Sequence, residues 1–302
     1  MANFTLKQLR YFEALAEQRH FGRAAGVCAI SQPALSVQIK ELEDQLGAVL
    51  FERAARQVRL TRFGEDFAPR VRDILRAVDE LGDFARASRN ALVGRFRIGI
   101  IPTIAPYLLP TLIGNLSQSH PGLDLHVRET VTPRLVKELA QGHLDTAIVA
   151  LPISEPTFAE MPLFSEKFVV VRPLAQAGEP APNVEDLLGL RLLLLEEGHC
   201  FREQALAFCN APAAVARNGL DGSSLSTLVQ MVGAGIGVTM IPEMAVPVET
   251  RSAQVACTGF DGQQPGRNIG MIWRKSTPLA DELREIATVV KLSGHQIAAE
   301  HG

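Results

Sequence analysis

The sequence predicts an α/β protein with an N-terminal winged helix-turn-helix, a long linker helix and a two-lobed α/β region. Three observations support this prediction: amphipathic helices before a basic hairpin, a narrow apolar row over residues 67–85, and short apolar strands that alternate with helices from Arg95 onward. A chain of 302 residues also exceeds one compact core, so two or three domains are expected.

Charge is unevenly distributed along the chain. Residues 1–62 contain nine Lys and Arg against six Asp and Glu, whereas the whole chain has a net charge of −3. A basic end on an acidic body indicates a polyanion-binding module joined to a part with another task.

No export or membrane segment is expected in this chain. Met1 to Arg10 lacks the apolar core of a signal peptide, and the apolar stretch Val229–Val246 is interrupted by glycines, a proline and a glutamate. We therefore expect a cytoplasmic protein without a membrane partner. In that reducing compartment permanent disulfides between the four cysteines are not expected.

Apolar residues at helical spacing predict the first helices. One begins near the N-terminus, and a short one follows around Phe21–Val27. Ser31 is the expected N-cap of the next helix, with Pro33 in its first turn. The apolar rows of the first and third helices are Leu6, Leu9, Phe12 and Ala16, and Leu35, Ile39, Leu42 and Leu46.

The helix after Ser31 leaves small and polar residues free around its N-terminal half, as in helices that bind in a DNA major groove. A short hairpin beyond Gly47 contains Arg53, Arg56 and Arg59, which suit phosphates or a minor groove. The alternative is a three-helix fold whose solvated basic face serves protein contacts.

A longer pattern decides between these alternatives. From Leu6 to Gly64 the string FxxAAxxxxISQPALSxQIxxLExxLGxxLFER…RxxxLTxxG resembles the LysR-type transcriptional regulators. The resemblance implies a DNA-binding domain over residues 1–62 and double-stranded DNA as partner. It places the DNA contacts on Ser31, Gln32, Pro33, Ser36 and Gln38, with Arg53 and Arg56 in the wing.

Residues 63–92 are expected to form a dimerising linker helix. Its apolar row repeats every three or four residues, so a second copy is expected to cover it, although packing against its own body is the alternative. Pro69 should kink this helix or mark its start. The family resemblance implies an antiparallel dimer, further assembly into tetramers, and a two-fold repeated DNA site. The row is Phe67, Val71, Ile74, Val78, Leu81 and Ala85.

The remaining residues, 93–302, are expected to form a regulatory domain like periplasmic binding proteins. A β-α-β-α-β run over residues 96–151 predicts a parallel sheet, and a second run follows. Lobe I is expected over 93–165 and 269–302, with the last helix (279–296) returning to it, and lobe II over 166–268. Further elements are predicted as strands 167–172, 190–195, 238–241 and 268–274 and helices 201–209 and 225–232.

Two hydroxyl groups precede predicted helices in lobe I. Thr103 follows a strand, and Thr132 lies before the next helix. Each could bind a small polar ligand beside free helix N–H groups, or could simply cap its helix.

Cys200 and Cys209 frame the predicted helix 201–209. A helix N-terminus and a nearby cation at His199 favour the thiolate of Cys200, whereas Glu196 and Glu197 oppose it. Nine helical residues span about 13.5 Å, so a disulfide would require the segment to unwind. Alternatively both are core thiols, as is expected of Cys28 and Cys257. The spacing with one His fits no familiar zinc site.

The segments Ile101–Pro110, Leu195–Cys209 and Val232–Pro242 resemble the hydrogen-peroxide-sensing members of the same family. The resemblance implies that Cys200 reacts with peroxide and that Cys209 resolves it. By the same resemblance His199, Thr103 and Thr132 bind or polarise the peroxide, and Arg267 is the distant cation.

The expected function is therefore a redox-switched regulator that activates antioxidant genes with RNA polymerase, and that glutaredoxin- or thioredoxin-type reductants reset. No cofactor, metal or enzymatic activity is expected. Two alternatives remain: a LysR-type regulator that senses a small metabolite in the inter-lobe cleft, and a thiol peroxidase.

Overall fold

The structure, a computed structural model, describes residues 4–54, 57–87, 93–209, 221–262 and 264–301. The chain divides into two units, Met1–Ala85 and Arg86–Gly302. No described helix is both long enough and apolar enough to cross a membrane.

The first unit begins with three helices: α1 (Leu6–Gln18), α2 (Phe21–Val27) and α3 (Gln32–Leu46). Local signals set their ends. Thr5 and Gln8 form a capping box on α1, and the Ser31 hydroxyl accepts a hydrogen bond from the Ala34 amide at 3.3 Å. The predicted helices and the Ser31 cap are therefore confirmed. The predicted apolar rows supply the core, although Leu46 is only half-buried and Leu6 is exposed.

A two-stranded hairpin follows α3 and forms the wing. Strand β1 (Phe51–Ala54) pairs antiparallel with β2 (Gln57–Leu60). Glu43 of α3 accepts hydrogen bonds from the amides of Leu50 and Phe51, which fixes the start of the hairpin against the helix.

Helix α4 (Arg62–Ala87) contains Pro69 in its interior, so the option that Pro69 marks the helix start is wrong. The predicted apolar row divides between two roles. Phe67 and Val71 pack into the core of their own unit, which agrees with the alternative that the helix packs against its own body. They share this core with apolar residues of α1, α3 and the hairpin. Leu81 is 69% exposed, and Phe84 beside it is 67% exposed. Residues 88–92 of the predicted linker helix lie outside the described residues.

The second unit is built on a mixed sheet, in which the strands lie in the order β10 (Val255–Thr258), β6 (Phe158–Pro173), β11 (Gly266–Arg274), β5 (Thr146–Leu151), β3 (Gly94–Ile100) and β4 (Leu123–Glu129). Strands β3 (Gly94–Ile100), β4 (Leu123–Glu129) and β5 (Thr146–Leu151) are parallel, as predicted. Helices α5 (Ala105–Ser119) and α6 (Thr132–Ala140) connect them.

The long strand β6 (Phe158–Pro173) joins the two lobes. Its first part pairs antiparallel with β11 (Gly266–Arg274), and from Phe168 onward it pairs with β9 (Thr239–Pro242) and β10 (Val255–Thr258). The predicted strand 167–172 therefore misses the first half of β6. Polar residues and Pro162 interrupt the apolar alternation there.

The second lobe contains short elements around β9. They are α7 (Val184–Gly189), β7 (Leu194–Leu195), α8 (Cys200–Phe208), β8 (Asp221–Gly222), α9 (Leu225–Gly233) and α10 (Val246–Glu249). The predicted strand 190–195 is reduced to β7 and a single bridge between Leu192 and Val238. The sequence does not predict α7, α10, β8 or β10.

The last helix, α11 (Ala280–His301), returns to the first lobe as predicted. Asn115 of α5 donates hydrogen bonds to Ser293 and Gln296 of α11, at 2.9 and 3.0 Å.

Candidate functional site

A cavity of about 290 Å³, here called the cleft cavity, lies between the two lobes of the second unit. The first lobe contributes the loop after β3, the start of α5 and the loop before α6. The second lobe contributes the loop before α8, the start of α9 and the end of α10. Two of the predicted peroxide-binding residues, Thr103 and His199, line this cavity from opposite lobes.

Thr103 is buried and does not cap α5, whose N-cap residue Ile104 makes no side-chain cap bond. The Thr103 hydroxyl instead accepts a hydrogen bond from Nη1 of Arg267 at 2.7 Å, and its carbonyl accepts one from Nη2 at 3.1 Å. The helix-cap alternative for Thr103 is therefore wrong. The hydroxyl keeps its own proton for donation to a ligand.

Arg267 lies on β11 and is only 5% exposed. Its guanidinium donates to Oε1 of Glu166 at 2.6 Å and lies over the rings of Phe168 and Phe201. A charge-assisted hydrogen bond and two aromatic faces hold the group in one orientation. Arg267 thus positions Thr103, and its ring contact Phe201 directly follows Cys200 in the chain.

Cys200 is half-buried and is the first residue of α8, with His199 as the N-cap residue. The His199 side chain makes no cap hydrogen bond, so its ring is available to the cleft cavity. Burial lowers the pKa of His199, and Glu196 partly opposes the shift. A lowered pKa favours the neutral form of the ring, which can donate or accept a hydrogen bond.

Thr132 is the first residue of α6, and its buried hydroxyl has no hydrogen-bond partner among the described residues. The preceding residue, Val131, lines the cleft cavity, and a Cβ built on Gly198 would lie 3.9 Å from it. An unsatisfied buried hydroxyl beside the loop that leads to Cys200 suits a small polar ligand.

Cys209 lies at the other end of α8, as its C-cap residue, and is fully buried. Burial raises the pKa of its thiol. All four cysteines are free. Cys28 is half-buried and packs against the core of the first unit, whereas Cys257 is exposed, which corrects the prediction that Cys257 is a buried core thiol. The nine-residue helix separates Cys200 from Cys209 by more than the roughly 7 Å that a disulfide allows.

Contacts on both sides hold α8 in place. Arg202 is buried and donates to the Leu195 carbonyl at 2.6 Å and to Asp221 at 2.9 Å. Phe201 packs edge-on against Phe168, and Phe208 packs against Phe260. These contacts must break if α8 unwinds.

A hydrogen-bond network that the sequence does not predict connects the two lobes. The Tyr107 hydroxyl on α5 donates to Oε1 of Glu249 on α10 at 2.7 Å, and Ser226 on α9 donates to Oε2 at 2.6 Å. Burial and Glu249 raise the pKa of Tyr107, which keeps the phenol protonated as the donor. Tyr107 lies in the segment Ile101–Pro110 that carries the family resemblance, but no local sequence pattern indicates Glu249 as its partner.

The first unit presents the predicted DNA-contacting residues at the start of α3. Ser31, Gln32 and Pro33 are exposed, whereas Ser36 and Gln38 are half-buried. The Gln38 amide also donates to Glu41 at 2.7 Å. Arg56 lies outside the described residues, and of Arg53 only the backbone is described, in β1.

The helix-turn-helix with its wing and the cleft-bearing second unit define a transcription regulator. The profile of the bacterial regulatory helix-turn-helix protein, lysR family, matches residues 6–65, and that of the LysR substrate binding domain matches residues 89–291. The chain belongs to the LysR family.

Its similarity to individual members extends over nearly the whole chain. It is 38% identical to the DNA-binding transcriptional dual regulator OxyR of Escherichia coli, with 96% of each chain covered. Full-length OxyR from Pseudomonas aeruginosa, a cysteine variant, matches with 36% identity and a TM-score of 0.75 over 97% of this chain and 96% of that one. A cysteine variant of Corynebacterium glutamicum OxyR with H₂O₂ bound matches with 35% identity and a TM-score of 0.69, over 98% and 94%.

Proposed function

We propose that this chain is a redox-switched DNA-binding transcription regulator that senses hydrogen peroxide through a reversible Cys200–Cys209 disulfide and activates antioxidant genes. One observation carries the proposal: Cys200 begins α8 beside His199, which faces Thr103 and its partner Arg267 across one cleft cavity. The H₂O₂-bound relative of similar structure supports the same ligand for this chain.

The chemistry is a two-step oxidation of the cysteine pair. The Cys200 thiolate attacks one peroxide oxygen, the O–O bond breaks, and the other oxygen leaves as hydroxide that takes up a proton to form water. The Cys209 sulfur then attacks the sulfenic sulfur of Cys200 and releases a second water. Thr103, Thr132 and His199 hydrogen-bond the peroxide, and Arg267 orients Thr103 and supplies positive charge.

The second step requires α8 to unwind. Cys209 is buried at the far end of the helix, so the disulfide forms only when the Arg202 and Phe201 contacts are released. The refolded segment is the two-state element that changes how the oligomer lies on DNA.

We assign residues 1–62 to DNA binding, 63–92 to dimerisation and 93–302 to regulation, with lobe I at 93–165 and 269–302 and lobe II at 166–268. A dimer that assembles into a tetramer binds a two-fold repeated site. The protein acts in the cytoplasm, recruits RNA polymerase, and is reset by thiol reductants such as glutaredoxin or thioredoxin. DNA contacts are Ser31, Gln32, Pro33, Ser36, Gln38, Arg53 and Arg56.

Peptide mass mapping of the reduced protein after one equivalent of hydrogen peroxide tests the proposal. We expect a rapid Cys200–Cys209 disulfide that is absent in Cys200→Ser and Cys209→Ser, while Cys257→Ser, which removes an exposed thiol, serves as the matched control. Two free thiols after excess peroxide would refute the redox switch. Steady peroxide turnover with a reductant, independent of DNA binding, would instead indicate a thiol peroxidase.

A metabolite sensor is the second candidate, because the cleft cavity of about 290 Å³ is much larger than one peroxide molecule. It predicts that a small solute changes DNA affinity in Cys200→Ser as strongly as in the unaltered protein. No such response is expected from a peroxide switch.

A further inference from the structure

A second cavity of about 230 Å³, here called the rear cavity, lies between β6, the turn Glu243–Ala245 and α11. It shares no lining residue with the cleft cavity. Its walls combine apolar side chains with two acids, and they include Phe164, Glu166, Glu243, Met244 and Ile297.

Glu166 is the buried acid of the rear cavity, at 8% exposure. One carboxylate oxygen, Oε1, accepts from Arg267 at 2.6 Å. The other, Oε2, is buried and has no hydrogen-bond partner in the described part of the chain. A buried carboxylate oxygen without a donor is unfavourable, so this position favours a ligand that donates a hydrogen bond.

The charges around Glu166 also favour a cation. Burial raises the pKa of Glu166, its ion pair with Arg267 lowers it, and Glu243, which lies at the exposed rim, raises it further. Two acids thus face one buried cation, with His295 exposed at the rim. The described residues contain no group of three side chains that could hold a metal ion, and apolar side chains line the cavity beside the acids. An organic cation fits better than a metal.

We propose that the rear cavity binds a small primary alkylammonium ion. Its nitrogen donates to Oε2 of Glu166, and its carbon chain packs against Phe164, Met244 and Ile297. Glu243, which is exposed at the rim, attracts the ammonium ion electrostatically.

This site is coupled to the cleft cavity through Arg267. Glu166 and Thr103 bind the same guanidinium, so an ammonium on Glu166 weakens the Glu166–Arg267 pair and alters the charge behind Thr103. Occupancy therefore changes the rate of Cys200 oxidation; this second step rests on the proposed peroxide function, whereas the binding step does not.

Calorimetric titration of the reduced full-length protein with n-butylammonium chloride tests the binding step. Sodium chloride controls for ionic strength, and 1-butanol is the neutral ligand of the same shape. We expect saturable binding of n-butylammonium alone, weakened about tenfold or more by Glu166→Gln and several-fold by Glu243→Gln. Glu285→Gln removes an exposed acid of α11 that does not line the cavity and should leave the affinity unchanged.

Equal binding of 1-butanol, or equal affinities in Glu243→Gln and Glu285→Gln, would overturn the site. The rim variant Glu243→Gln decides the matter if Glu166→Gln fails to fold.

Stopped-flow oxidation with saturating n-butylammonium then tests the coupling. A change of at least about twofold is expected in the unaltered protein, and the ligand concentration that gives half of this change should be several-fold higher in Glu243→Gln. Binding without any change in rate overturns the coupling alone. Binding in a protein whose Cys200 does not react with peroxide overturns the proposed function and leaves the cation site standing.

Discussion

At the residue scale, Thr103 connects the cleft cavity to the buried guanidinium of Arg267. Its hydroxyl accepts from Arg267 while its proton remains free for the cavity. Removing the hydroxyl leaves a guanidinium N–H buried without an acceptor, so Thr103→Val should lower the free energy of unfolding by about 1–3 kcal/mol. It should also slow peroxide oxidation of Cys200 by at least about tenfold.

Urea unfolding and stopped-flow oxidation check this prediction, with Thr103→Ser as the matched variant that keeps the hydroxyl. Normal oxidation in Thr103→Val would mean that the reaction of Cys200 with peroxide does not require the Thr103 hydroxyl.

The His199 ring gives a pH dependence with a definite sign. Burial lowers its folded-state pKa below the ordinary value of 6.5. Between the folded-state and unfolded-state pKa values the unfolded chain binds more protons than the folded chain. The free energy of unfolding therefore rises with pH through that window, and this gain is lost when the pH falls below the folded-state pKa. His199→Gln should flatten this part of the stability curve, measured by urea unfolding from about pH 5 to pH 7. An NMR titration midpoint above 6.5 would contradict the neutral ring.

At the element scale, the hydroxyl of Ser31, the N-cap residue of α3, caps the helix and is also a proposed DNA contact. Ser31 accepts from the Ala34 amide and is exposed, so its proton can be donated to a DNA phosphate. Ser31→Ala should cost about 1 kcal/mol of stability and weaken DNA binding. Ser31→Asp should keep the cap and still weaken DNA binding, because the carboxylate repels phosphate.

The matched control is Thr5→Ala, which removes the N-cap of α1 in the same unit. Thermal unfolding and fluorescence anisotropy with operator DNA separate the two effects. If Thr5→Ala weakens DNA binding as much as Ser31→Ala, the loss reflects stability alone.

The apolar residues of helix α4 differ in exposure along its length. Val71 is fully buried in its own unit, whereas Leu81 is 69% exposed and lies in the half that we assign to dimerisation. Leu81→Glu places a charge in that apolar contact and should dissociate the oligomer, measured by analytical ultracentrifugation. Leu292→Glu makes the same change at an exposed leucine of α11 and should leave the mass unchanged. Dissociation by both variants would remove the assignment to α4.

At the scale of the whole molecule, local signals and distant contacts differ in how far they can be predicted. Helix α2 and the Ser31 cap follow from residues within one turn, and the sequence predicts them at the right positions. The first half of β6 was missed because its partner β11 lies about a hundred residues further on and decides the strand.

The same distinction applies to the candidate site. The family resemblance predicts Thr103, His199 and Arg267 as site residues, but the pairing of Arg267 with Glu166 and of Tyr107 with Glu249 depends on the folded topology. Residues separated by more than a hundred positions carry no shared local pattern, so only the structure brings them together.

The Tyr107–Glu249 hydrogen bond spans the two lobes and should break if refolding of α8 moves them apart. Tyr107→Phe removes the donor and leaves Glu249 with Ser226, so the reduced form should lose about 1–1.5 kcal/mol. If the oxidised form lacks this bond, it loses nothing, and the reduction potential becomes more negative by roughly 20–30 mV. Equilibration with glutathione redox buffers measures the potential, and urea unfolding measures the stability. Tyr11→Phe makes the same change in the first unit and should leave the potential unchanged. A lower stability with an unaltered potential would mean that the lobes keep this contact in both states, and that the switch acts through α8 alone.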